Sequence, residues 1–166
     1  MNKTRKITLI GILTAVAIVG RLALQGIPNV QPATIIIILT GVVFGRSMGA
    51  TLGFVIATVS GLITGIGIWT PFQVIAWTLV GFISGYVPRN RKSMLFAWSI
   101  MSAFVYGFIS SLSMLFFIPL SGFFTAYMAG IYFDAYHAIG NIIFLAVASP
   151  ILFKIFDSYK DKCGTA

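Results

Sequence analysis

Between Arg46 and Arg89 no residue carries a charge, and between Lys92 and Asp134 none does either. Water-soluble domains average about 25% charged residues, and a run of roughly 20 uncharged, apolar residues is enough to cross a bilayer as a helix. A chain that is 58% hydrophobic and 8% charged, with a mean hydropathy of +1.01, is therefore an integral membrane protein. Here the apolar character is continuous over whole segments, so the expected class is all-α. At 166 residues the chain has room for a single domain, 1–166, built as an integral membrane bundle of six transmembrane helices. The approximate spans are 7–25, 32–45, 48–65, 71–87, 94–118 and 134–156. The first begins after a basic start (Lys3, Arg5, Lys6) and is too long for the apolar part of a secretory signal. It reads as an uncleaved span.

The breaks between spans are of two kinds. Arg46-Ser47, Pro88–Lys92 and the tail from Lys154 are basic, as is the N-terminus. Gln25–Pro32, Gly65–Pro71 and Pro119–Gly130 are uncharged, interrupted by Gly or Pro, and bordered by amides and aromatics. Lysine and arginine accumulate on the cytoplasmic side of membrane proteins. With six spans and both termini cytoplasmic, Lys3, Arg5, Lys6, Arg46, Arg89, Arg91, Lys92, Lys154, Lys160 and Lys162 are inside. Only Arg21 of the 11 basic residues lies toward the other face. The same distribution accounts for the net charge of +8 without nucleic acid as a partner.

Irregular backbone at membrane depth is tolerated where it lines a cavity or is packed in protein. The uncharged breaks thus predict a pocket open to the outside, lined by Asn29, Gln31, Trp69, Gln73, Trp77, Tyr132, Asp134 and His137. Asp134, His137 and Asn141 stand at i, i+3 and i+7 on one helical face. An ionisable group in lipid is costly and marks a functional position by default. The plainer alternatives are that Asp134 caps a helix or forms a structural ion pair with Arg21. Asn141 is deep enough to serve in interhelical hydrogen bonding. Trp69 equally suits the aromatic belt at the lipid interface.

Several chemistries lack their groups. There is no G-x-x-x-x-G-K-[ST] phosphate loop, no second carboxylate beside Asp134, and no Ser/His/Asp set around the single buried His. The lone cysteine, Cys163, lies in the tail, and one His with three acids makes a metal centre unexpected. No enzyme, no cofactor and no metal is predicted. A membrane protein with an outward pocket and no energy source of its own needs a partner to move anything.

Three stretches carry a family resemblance: Ile27-Pro28-Asn29-Val30-Gln31-Pro32; Gly67-Ile-Trp-Thr-Pro-Phe-Gln73 with Ala76-Trp77; and Phe133-Asp134-x-x-His137-Ala138-x-Gly140-Asn141. Together with the short, basic-ended six-helix pattern, the chain resembles the S components of energy-coupling-factor (ECF) vitamin transporters. The resemblance implies capture of a vitamin from outside and docking on a transmembrane T subunit coupled to two cytoplasmic ATPases. Toppling of the S component then delivers the substrate, and the setting is the plasma membrane of a prokaryote. S components carry a small-residue motif in the first helix for docking; its nearest match here is Gly11-x-x-x-Ala15. The outer motifs look most like those of cobalamin-type S components, whose substrate is itself a cobalt corrinoid. One acid and one Arg also leave room for a small anionic vitamin such as pantothenate. Two readings compete: a self-sufficient proton-coupled carrier acting as a homodimer, with Asp134 and His137 exchanging protons, and a non-transporting membrane scaffold.

Overall fold

The computed structural model describes residues 2–161; Lys162 and Cys163 lie outside them. The described residues form six α-helices: α1 (Lys3–Ala23), α2 (Ala33–Phe44), α3 (Arg46–Thr64), α4 (Thr70–Ser84), α5 (Lys92–Ser111) and α6 (Leu120–Asp161), with a short 3-10 turn, Leu112–Phe116, after α5. The helix ends follow local chemistry. Asn2 Oδ1 accepts from the Arg5 amide at 3.0 Å and caps α1. Gly45 and Gly65 close α2 and α3 with φ of 90° and 106°, a left-handed conformation that glycine adopts without steric cost. Pro71 sits in the first turn of α4, where its missing N–H is no loss.

Four helices are long and apolar enough to cross a membrane, and α2 and α4 are shorter apolar helices. At 12 residues α2 is roughly 18 Å long, well short of a hydrocarbon core of roughly 30 Å. It is nonetheless the central helix: Ile35, Ile37, Ile38 and Leu39 are completely buried. A helix apolar on all sides belongs inside protein rather than at its edge.

The segment 119–130, expected as a connection, is helical. Pro119 accepts the amides of Gly122 and Phe123 as the helix begins, and Phe123 and Tyr127, at i and i+4, pack on Phe108 with centroids 6.0 and 5.5 Å away. Tertiary packing of these rings overrides the breaking tendency of Gly122 and Gly130.

In lipid, helices are held by close packing and polar contacts rather than by expulsion of water. The small residues of α3 do this against α4. A methyl added at Gly49 would strike the Gly81 carbonyl, one at Gly81 the Gly49 carbonyl, and one at Gly53 the Trp77 carbonyl. The two backbones touch.

The basic breaks converge on one end of the bundle. Tyr159 Oη donates to the Arg5 carbonyl at 2.7 Å. Lys160 Nζ lies 5.7 Å from the Phe44 ring beside the α2–α3 turn. Arg89 grips Asp157 with two hydrogen bonds of 2.6 and 2.7 Å. The two ends of the described chain thus share a face with all three basic clusters, as the positive-inside reading requires.

Candidate functional site

At the opposite end, the loop between α1 and α2 is pinned to α6. Asn29 adopts a φ of 59°, which Asn tolerates better than other non-glycine residues. Its Nδ2 donates to the Phe133 carbonyl at 3.1 Å. Val30 rests on Gly140, 3.3 Å from where a Cβ would be, and Pro32 presses on Gly20. The loop stands between two hollows. The larger, about 420 Å³, is bounded by Pro28, Asn29, Arg21, Gln73, Tyr106, Ser110, Ser111, Met114, Tyr127 and Asp134. The smaller, about 200 Å³, lies on the loop's other side with Gln25, Gln31 and Thr64, and shares Arg21 and Asn29 with the first.

Behind the larger cavity is a layered stack. The Arg21 guanidinium lies 5.3 Å over the Trp77 ring, Trp77 stacks on Tyr106 at 5.0 Å, and His137 meets Tyr106 edge-on at 5.2 Å. Trp77 Nε1 donates to Thr34 Oγ1 at 3.1 Å, and the same hydroxyl is 2.8 Å from His137 Nε2. Thr34 belongs to the first turn of α2, so the short central helix ends where these polar groups need a partner. Lower still, Asn141 Nδ2 donates to the Ser99 carbonyl at 2.9 Å and joins α6 to α5, the interhelical role its depth suggested.

Asp134 occupies the space left by Gly107, where any Cβ would collide with the carboxylate. It accepts from Tyr127 Oη at 3.1 Å, and only 5% of the residue is exposed. Two expectations fail here. Asp134 sits in the middle of α6, so it caps no helix. Arg21 and Asp134 line one cavity without forming an ion pair, because Arg21 donates instead to Ser60 Oγ at 2.5 Å and Asp134 turns to Tyr127.

The family model for the S component of ECF-type riboflavin transporters matches residues 1–155. The chain belongs to that family. No curated protein and no solved structure matches it.

In this ECF S component the residues expected in the pocket separate into three groups. Asn29, Gln73 and Asp134 line the larger cavity and Gln31 the smaller. Trp77 and His137 are completely buried and stand one layer behind, where they hold Arg21, Tyr106 and Thr34 in place. Trp69 and Tyr132, each 52% exposed, border neither cavity and have the exposure of interfacial aromatics. Tyr106, Ser110, Ser111 and Tyr127 were missed. Tyr127 stands seven residues before Asp134, hence on its helical face, but a segment taken for a loop has no faces. Gly11 and Ala15 lie on the exposed side of α1, and a side chain at Gly11 would meet nothing within 4 Å. Among the described residues no three His, Cys, Asp or Glu gather into a metal-binding group.

Proposed function

We propose that this S component captures riboflavin, or a closely related flat heteroaromatic with a polyol arm, in the larger outer cavity. The observation that carries the reading is the match between shape and chemistry. A space of about 420 Å³ falls within the usual range of drug-sized ligand sites. Tyr106 contributes to one wall, and Arg21, Gln73, Asn29 and Asp134 supply donors and acceptors around the same space. The riboflavin description of the family supports the same choice over cobalamin, and a corrin with its amide arms is much larger than a drug-sized ligand. Asp134 and His137 hydrogen-bond to Tyr127 and Thr34 respectively, an arrangement that favours fixed walls over exchange of protons between the two residues.

Delivery follows from the same frame. The exposed strip of α1 around Gly11 and Ala15 lets a T subunit approach the backbone closely, and ATP hydrolysis by ATPases bound to that subunit supplies the energy for a chain that has no phosphate loop. The membrane is the plasma membrane of a prokaryote.

The test is equilibrium binding to the purified protein, read by quenching of flavin fluorescence, with cobalamin and pantothenate as competitors. Riboflavin is expected to bind at one site per chain, weakened at least tenfold by Gln73→Ala or Arg21→Ala. Tight cobalamin binding with no flavin binding would overturn the reading.

A further inference from the structure

A third hollow lies at the other end of the bundle from the two beside the α1–α2 loop, between α5 and α6. It measures about 490 Å³ and is floored by Leu95, Leu145 and Phe153, with Arg89 and Lys92 at its mouth and Pro150 in its wall. Its rim residues Phe96, Ala146 and Pro150 are exposed on the outside of the bundle, so the cleft opens sideways, toward lipid. Pro150 has no amide hydrogen, and the carbonyl four residues earlier, that of Ala146 in the same wall, loses its helical donor. An apolar gap of this size between packed helices forfeits the contacts that hold them unless something fills it. Its walls are mostly apolar, which suits an acyl chain along their length better than water.

The polarity of the cleft has a direction. Its cations lie at the end where Arg89 is bound to Asp157 and where the basic breaks gather, at headgroup level of the inner leaflet. Arg89 spends two hydrogen bonds on Asp157 and stacks over Phe153 at 4.3 Å. Lys92 makes no side-chain hydrogen bond or ion pair among the described residues and is exposed. A free ammonium above an apolar trough reproduces, in complement, an anionic phosphate above its acyl chain, and basic pockets between spans on this side of a membrane are suited to anionic headgroups.

We infer that the α5–α6 cleft holds one anionic phospholipid of the inner leaflet, its phosphate on Lys92 and its acyl chain along Leu95, Leu145 and Phe153. The site is independent of the outer pocket, and it does not require the riboflavin assignment. The lipid serves as a filler that fixes the spacing of α5 and α6, the two helices that also form the far wall of the outer cavity.

The experiment places the full chain in nanodiscs of phosphatidylcholine with a minor fraction of phosphatidylglycerol of the same acyl composition, and counts retained lipids by native mass spectrometry. One phosphatidylglycerol is expected on the wild-type chain. Retention should fall about fivefold in Lys92→Ala, the effect of one cation near a headgroup. It should be lost in Ala146→Phe, which fills the trough, and be unchanged in Lys154→Ala, which removes an equal charge outside the cleft. Inorganic phosphate should not displace it. Equal retention of the two lipids, an equal fall in Lys154→Ala, or displacement by inorganic phosphate would each overturn the inference. So would a cleft that stays lipid-free alone and is covered only when a T subunit is added. Exposed Lys92 tolerates alanine, so the charge arm survives if Ala146→Phe fails to fold.

Discussion

The carboxylate of Asp134 fills the place that a side chain on Gly107 would take. Glycine at 107 and aspartate at 134 are therefore one feature, a niche on α5 and the group that enters it from α6. Gly107→Ala should destabilise the bundle by about 1–3 kcal/mol through overpacking and weaken ligand binding more than tenfold. Adding Asp134→Ala to Gly107→Ala should restore stability but not binding. A double-mutant cycle in thermal midpoint and flavin affinity checks this, and independent, additive effects would separate the two residues.

Trp77 and Gln73, neighbours on one face of α4, should behave differently. Completely buried Trp77 supports Arg21, Tyr106 and Thr34, so Trp77→Ala should cost about 3–5 kcal/mol of stability along with affinity. Gln73→Ala should lower affinity alone. Unfolding curves in detergent beside binding isotherms distinguish them; a stable Trp77→Ala with normal affinity would remove the stack from the site.

The backbone contact of α3 with α4 tolerates no side chain on either partner. Gly81→Leu and Gly49→Leu should each lower the thermal midpoint sharply and reduce membrane yield. Gly11→Leu, of the same chemistry on an open face, should leave both unchanged.

Gly11→Phe and Ala15→Phe should block uptake into cells while riboflavin binding to the purified chain stays within about twofold of wild type. Loss of both together would place these residues in the fold rather than at the docking face.

The Arg89 hydrogen bonds hold the Asp157 carboxyl below its ordinary range. A carboxylate depressed on folding contributes stability above its unfolded pKa and loses it as pH falls through the folded value. The midpoint of Asp157→Asn should lie slightly below wild type at pH 7 in low salt. The gap should close as the solution is acidified through the lowered range of the Asp157 carboxyl and in 1 M salt, since both partners are near half exposed and screened. A gap that persisted in acid would point to another cause.

The helical bundle and the gathering of its basic breaks at one end were legible because they depend on long-range averages, charge spacing above all. Asp134, His137 and Asn141 were read correctly as one buried face, since helical period alone decides it. What escaped depended on partners in other segments. Nothing local shows that Trp77 and His137 would meet over Thr34 instead of facing ligand, or that Arg21 would choose Ser60 over Asp134. The turns from Leu120 to Gly130 were hidden because Gly and Ser signal a break, whereas the rings that hold them helical rest on Phe108, earlier in the chain. The Arg89–Asp157 pair joins a loop to a stretch read as tail.

The central helix runs only from Ala33 to Phe44, roughly 12 Å shorter than a hydrocarbon core is thick. The larger cavity lies beyond the Ala33 end of that helix, where Pro28 and Asn29 of the preceding loop line it. On the riboflavin reading, the bound molecule is separated from the basic end of the bundle by a plug about as long as α2 itself, with Ile35, Ile37 and Ile38 completely buried in it.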